Sequence, residues 1–104
     1  DSLIIIDHGR EIAGGSPRDL IAEHIEPQVV EAYDEAGGDL PAFVAAHRDL
    51  AERVETSGET AFFYCSDPRP LLARLAEAPG LRYVHRASNL EDVFIKLTGR
   101  ELRD

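Results

Sequence analysis

Residues 60–65 read TAFFYC, and this run of aromatic and β-branched side chains is the strongest strand signal in the chain. The turn signal Ser57-Gly58-Glu59 comes directly before it and separates it from a second strand-like run over residues 50–56. Two strand-like runs joined by a short connection that contains glycine are typical of a β-hairpin. The sequence therefore predicts a hairpin in the middle of the chain.

One strand and one helix are predicted on each side of this hairpin. Residues 28–33 indicate a strand and residues 40–47 a short amphipathic helix. After the hairpin, Asp67-Pro68 opens a second helix, and residues 81–86 alternate as a last strand. The order over residues 27–86 is β-α-β-β-α-β, which is the ferredoxin-like arrangement. We expect an α+β fold in which two helices cover one face of a four-stranded antiparallel sheet.

The first 26 residues predict a separate β-hairpin and helix. Residues 3–6 are apolar and β-branched, a glycine turn follows, and residues 10–13 form a second short run. Ser16 and Pro17 then supply an N-cap and a first helical residue. Because Pro27 stops this helix, we place a domain boundary there, with residues 1–26 on one side and residues 27–104 on the other. A chain that opens directly on a strand is expected to be part of a longer polypeptide.

A capped amphipathic helix is predicted at the end of the second domain. Ser88 and Glu91 have the spacing of a capping box, and Gly99 occupies the position of a left-handed C-terminal cap. Apolar residues between them form one stripe, which predicts a covered face; they are Leu90, Val93, Phe94 and Leu97. Two partners for this stripe are open: the sheet of its own domain, or a neighbouring molecule.

Composition excludes several classes of function. The chain has 11 basic and 20 acidic residues, a net charge of −9, which disfavours binding to nucleic acid or to an anionic bilayer. Cys65 is the only cysteine, so no internal disulfide forms, and its apolar surroundings predict a small buried side chain. The four histidines form no closely spaced pair, so we expect no metal site.

Two segments carry a resemblance to a known family. Residues 4–20, with Asp7-His8-Gly9-Arg10 and Gly15-Ser16-Pro17, resemble the end of an ABC ATPase domain. Residues 89–102, NLEDVFIKLTGREL, are similar to the C-terminal extension of NodI-like and daunorubicin-resistance-like ATP-binding subunits of ABC-2-type exporters. The first motif is shared by many ABC ATPases, and the second is the more specific of the two.

The resemblance implies an accessory or regulatory domain of a transport ATPase. The parent protein would bind ATP and Mg²⁺ and couple hydrolysis to transport from the cytoplasmic face of the inner membrane. Partners implied are the ATPase domain of the same polypeptide, a second copy of the subunit and a membrane permease. The chain itself contains no GxxxxGK[ST] loop, no Walker B acids, no LSGGQ-like signature and no switch histidine. Because phosphoryl transfer needs these groups together, we expect no catalytic or cofactor-binding residue in this chain.

A small basic surface is the one candidate interaction site outside the terminal helix. Arg82, His85 and Arg86 share the last predicted strand, and Arg69 and Arg74 lie on the preceding helix. These cations suggest contact with an acidic partner or a small anion, although solvated edge charges explain them equally simply. Phe94 and Leu97 on the terminal helix complete the candidate interaction surface.

Two further functions remain open at the level of the sequence. The ferredoxin-like order also suits an ACT-like regulatory module that binds a small ligand at the seam of a dimer. A dimeric, cofactor-free oxygenase of the same fold class would need a histidine in a deep pocket, for which His85 is the candidate. The fold alone does not decide among these functions.

Overall fold

The computed structural model describes residues 2–35 and 37–98. Its elements follow one another as β1 (Leu3–Asp7), β2 (Arg10–Gly15), α1 (Pro17–His24), β3 (Gln28–Asp34), α2 (Leu40–His47), a 3-10 turn (Arg48–Leu50), β4 (Arg53–Ser57), β5 (Thr60–Cys65), α3 (Arg69–Ala76), β6 (Leu81–Ala87) and α4 (Leu90–Thr98). They form two compact units. One runs from Pro27 to Ala87, and the other joins the residues up to Glu26 with those from Ser88 onward.

The unit from Pro27 to Ala87 has the predicted ferredoxin-like architecture. Over the described residues its sheet has the strand order β4-β5-β3-β6, and every neighbouring pair is antiparallel. The two central strands are β3 and β5, so the first and third strands of the β-α-β-β-α-β order lie side by side, as the split arrangement requires. The α+β prediction is confirmed.

The core of this unit lies between one face of the sheet and helices α2 and α3. Phe63 of β5 is completely buried, and its ring meets the ring of Phe43 from α2 edge-on, with centroids 6.2 Å apart. Leu71 and Leu75 of α3 close the other side of the same cluster. Cys65 is fully buried within it, in agreement with the small buried side chain that the sequence predicts.

The other unit contains the predicted hairpin and two helices. The β1–β2 turn places His8 and Gly9 at positive φ, 55° and 75°, which is the twist that a two-residue hairpin connection favours. The Ser16 hydroxyl accepts a hydrogen bond from the Asp19 amide at 3.1 Å and caps α1 as expected. Helix α1 contacts α4 within this unit.

Two local predictions need correction. The strand expected over residues 50–56 begins only at Arg53, because the Ala51 amide bonds to the Arg48 carbonyl and holds the preceding residues in a 3-10 turn. The capping box of α4 is formed by Asn89 and Asp92, one residue later than predicted. The hairpin unit also contains α4, and the domain boundary between residues 26 and 27 stays a prediction. The predicted C-terminal cap, Gly99, lies outside the described residues.

The described helices are short. None of them is long and apolar enough to cross a lipid bilayer.

Candidate functional site

The predicted basic surface lies on β6, an edge strand of the sheet. Within the described residues β6 pairs with β3 alone, and residues 82–85 are all exposed. Tyr83 and Val84 contribute large apolar side chains that are 41% and 49% exposed. The structure thus brings Arg82, His85 and Arg86 onto one accessible edge.

Each of these basic side chains has a partner inside the same unit. The Arg82 guanidinium lies 3.1 Å from the Glu35 carboxylate. The His85 ring nitrogen Nε2 is 2.8 Å from Gln28 Oε1. Arg86 Nε donates to Glu31 Oε2 at 2.5 Å, on the neighbouring strand. The edge therefore presents paired charges rather than a concentrated positive patch, and its use as an interaction surface stays a prediction.

The two arginines of α3 are paired in the same way. Arg74 lies 3.4 Å from Glu77, one helical turn on. Arg69 forms two side-chain hydrogen bonds of 2.9 Å with Asp67, and its backbone amide donates to the same carboxylate. The Arg69 side-chain bond, followed by the backbone bond, lowers the pKa of Asp67 to about 2. Helix α3 thus starts at an ion pair, and both of its arginines have acidic partners.

On α4, Phe94 and Leu97 are only partly buried. Val93, which precedes Phe94 in the same stripe, is fully buried, and Asp92 is 2% exposed. Val93 and Asp92 are therefore the side chains of α4 that point inward. Phe94 and Leu97 keep some accessible surface, and their role in an interaction also stays a prediction.

The histidines give no indication of catalysis or of metal binding. His47 Nδ1 lies 3.1 Å from the Phe43 carbonyl oxygen, and its ring lies against the Phe43 ring at a tilt of 37°, with the centroids 4.2 Å apart. His85 is exposed at the sheet edge, so the deep pocket that the oxygenase hypothesis requires around it is not there. In residues 2–35 and 37–98, no three His, Cys, Asp or Glu side chains come together as a metal site would require.

One cleft in the structure was not predicted from the sequence. It has a volume of about 570 Å³ and lies between α2 and the β4–β5 hairpin. Leu40 and Val44 of α2 form its apolar side, while Asp34, Arg48 and Glu59 bring charges to it. A volume of this size is within the range of small-molecule sites, roughly 300–1,000 Å³. No local sequence signal points to it, because its lining residues come from elements that are far apart in the chain.

Comparison with protein families settles the relationship of the chain. Residues 41–99 match the model of the nodulation factor export protein NodI, C-terminal domain. The chain belongs to this family. The family match confirms the resemblance to NodI-like subunits that residues 89–102 indicate.

Curated relatives agree with this NodI C-terminal domain assignment. The Nod factor export ATP-binding protein I of Ralstonia nicotianae is 54% identical over 110 residues, covering 100% of this chain and 33% of the relative. The protein of the same description from Cupriavidus pinatubonensis is 54% identical over 102 residues, which cover 98% of this chain and 30% of the relative. The protein of the same description from Burkholderia orbicola is 50% identical over 104 residues, which cover 100% of this chain and 33% of the relative. The chain spans about a third of the length of these relatives. No solved structure matches it.

Proposed function

We propose that this NodI C-terminal domain is a non-catalytic accessory domain of the ATP-binding subunit of an ABC-type exporter. The carrying observation is its match, over the whole chain, to proteins described as Nod factor export ATP-binding proteins. The phosphate-binding and signature motifs that phosphoryl transfer needs are missing from its 104 residues. ATP binding and turnover therefore belong to the remainder of the parent subunit.

The proposed parent subunit binds ATP and Mg²⁺ and drives export through a membrane permease. It would act as a peripheral subunit at the cytoplasmic face of the inner membrane, together with a second copy of itself. In this proposal the accessory domain regulates or positions the ATPase domains in that pair. A folded unit with its own buried core, such as that around Phe63, is suited to this positioning role because it transmits force without deforming.

The β1–β2 hairpin and α1 are proposed to be the end of the ATPase domain itself. Ile4 and Ile6 of β1 are 58% and 59% exposed, which is unusual for two isoleucines on one strand. Such a surface supports a covering partner, and the ATPase domain of the same polypeptide is the partner that the Asp7-His8-Gly9-Arg10 resemblance implies. Residues 27–104 would then be the accessory domain that follows it.

Two measurements test the proposal. The 104-residue chain should neither bind nor hydrolyse ATP, and turnover by the pure chain would contradict it. The complete subunit should change its ATP turnover when residues 27–104 are deleted, while keeping measurable activity. Complete loss of ATP binding in that deletion would mean that these residues belong to the catalytic body instead.

A surface variant separates regulation from simple folding. Replacing Arg82 by glutamine removes an exposed β6 cation, whose side chain is 65% exposed, without touching the core. If the β6 edge contacts the ATPase domain or the permease, ATP turnover of the complete subunit should change while its melting temperature stays close to that of the parent. Arg74→Gln, on the exposed side of α3, is the matched control. Equal effects of both changes would argue against a specific β6 contact.

A further inference from the structure

The cleft beside α2 places two carboxylates at one end. In the β3–β5 pairing, Tyr33 stands opposite Thr60. Asp34 follows Tyr33 and Glu59 precedes Thr60, so the two acids leave neighbouring strands at the same end of the sheet. Both line the cleft. Two carboxylates at one end of a cleft favour a cation there over an anion.

Asp34 is held in a fixed orientation. Its Oδ1 atom accepts hydrogen bonds from the amides of Gly37 and Gly38, at 2.9 and 3.0 Å. These bonds tie one carboxylate oxygen to the loop before α2. Among the contacts of the described residues, none engages Oδ2, which leaves that oxygen for a ligand. A preorganised acceptor loses little conformational entropy when it binds.

The remaining walls of the cleft are apolar along α2 and carry one guanidinium. Leu40 and Val44 are each 7% exposed and pack into the core from the cleft side. Thr60 adds a hydroxyl at the acidic end, and Arg48 follows the last residue of α2. A ligand with an apolar part lying along α2 and a positive group at the carboxylates would match both the apolar wall and the acidic end of the cleft.

We propose that this cleft binds a small amphiphilic primary amine. Its ammonium group would sit between Asp34 and Glu59, and its apolar body would lie against Leu40 and Val44. The site lies within one compact unit and needs no second copy of the chain, unlike the ligand seam of the ACT-like hypothesis. It does not depend on the proposed role in transport.

The experiment uses the full chain, labelled with ¹⁵N, and three probes of the same shape. 2-Phenylethylamine is the cationic probe, 2-phenylethanol is neutral and 3-phenylpropionate is anionic. Amide shifts are followed up to about 10 mM probe, a range that covers the weak affinities typical of fragments. The amine should give saturable shifts concentrated at residues 34–48 and 56–60. The neutral and anionic probes should bind about tenfold more weakly or worse, since they lack the charge-assisted hydrogen bonds.

Two variants assign the binding to the carboxylates. Asp34→Asn keeps an oxygen that accepts from Gly37 and Gly38, so the loop should persist while the charge is lost. Glu59→Gln changes an exposed turn residue. Each should weaken amine binding about tenfold, whereas Glu77→Gln, an exposed acid outside the cleft, should leave it unchanged. The proposal is overturned by an amine that gives no saturable shift, by shifts scattered over the acidic surface, or by anionic or neutral probes that bind as well as the amine. Equal affinity in the Glu77→Gln chain and both cleft variants would overturn it as well.

Discussion

Gly38 and Gly80 touch backbone to backbone. A Cβ atom placed on Gly80 would lie 2.5 Å from the Cα and nitrogen atoms of Gly38, and one on Gly38 would lie 2.6 Å from the Gly80 carbonyl carbon. Neither glycine has a positive φ, so the requirement is for space and not for a left-handed backbone. The Glu35 amide donates to the Gly80 carbonyl at 3.1 Å beside this contact. This hydrogen bond joins the loop before α2 to the turn before β6.

Replacing Gly80 by alanine should destabilise the domain. Because the obstructing atoms are backbone, two loops have to move apart, and overpacking of this kind costs about 1–3 kcal/mol. Urea unfolding would show a lower midpoint with an unchanged slope. Gly14→Ala is the control, since the nearest atom to its Cβ would be Glu11 Oε2, the far end of a flexible side chain, at 3.3 Å, and the other neighbours lie at ordinary contact distances. Equal midpoints for the two variants would contradict the close contact.

Turn positions were predictable from the sequence, but this contact was not. Gly37-Gly38 and Pro79-Gly80 are local signals that end and begin elements wherever they occur. Their meeting depends on how β3 and β6 pair, and that pairing joins residues far apart in the chain. The order of elements predicts which strands are neighbours, whereas backbone distances between loops depend on the packed helices as well.

Removing the Asn89 side chain should weaken the start of α4. Its Oδ1 accepts from the Asp92 amide at 3.1 Å, and Asp92 Oδ2 accepts from the Asn89 amide at 2.8 Å. Loss of an N-cap costs about 1 kcal/mol, so Asn89→Ala should lower the free energy of unfolding by that amount. Glu91→Ala, which removes the partner expected in the sequence-predicted box, should have a smaller effect. Chemical denaturation of the two variants decides between the two boxes, and a larger loss for Glu91→Ala would favour the predicted one.

Both capping patterns are present in the sequence, one residue apart. Ser88 with Glu91 and Asn89 with Asp92 satisfy the same spacing rule. Packing decides between them, because a helix that begins at Leu90 leaves Val93 fully buried and Ser88 at 9% exposure. The existence and type of this helix were therefore predictable, while its first residue depends on tertiary contacts.

The Glu31–Arg86 pair should contribute more to stability than the Glu35–Arg82 pair. Side chains of the first pair are 30% and 25% exposed, and those of the second are 50% and 65% exposed. Water screens the exposed pair more strongly. Double-mutant cycles with alanine should therefore give a coupling energy of about 1 kcal/mol for Glu31–Arg86 and of about 0.3 kcal/mol or less for Glu35–Arg82. Equal coupling energies would show that burial does not separate them.

Candidate site residues were predicted with uneven success for a physical reason. The cations of β6 were found because strand alternation places them together, but their acidic partners come from β3 and the loop after it. Asp34 and Glu59 of the cleft lie 25 positions apart, and only the β3–β5 register brings them to one end of the sheet. A sequence pattern predicts which residues share an element, whereas charge pairing across elements requires the register.

The Asp67–Arg69 pair should make stability depend on pH in the acid range. The pKa of Asp67 is about 2 in the folded chain, lowered from an ordinary value of 3.8 first by the Arg69 side-chain hydrogen bond and then by the Arg69 backbone bond. A carboxyl group whose pKa is lower in the folded state stabilises the fold at pH values above its unfolded pKa. That contribution is lost as the pH falls from about 4 to about 2, because the proton then binds the unfolded chain first.

Carboxyl ¹³C NMR titration would test this pair directly. Asp67 should titrate with a midpoint near 2 in the parent chain. In Arg69→Gln the midpoint should rise toward 3.8 without reaching it, because the backbone amide of residue 69 still donates to the carboxylate. Arg74→Gln, whose partner is Glu77, should leave the Asp67 midpoint where it was. If Arg69→Gln titrates like the parent chain, the side-chain hydrogen bonds are not the cause of the lowered pKa, and the backbone hydrogen bond would have to account for it.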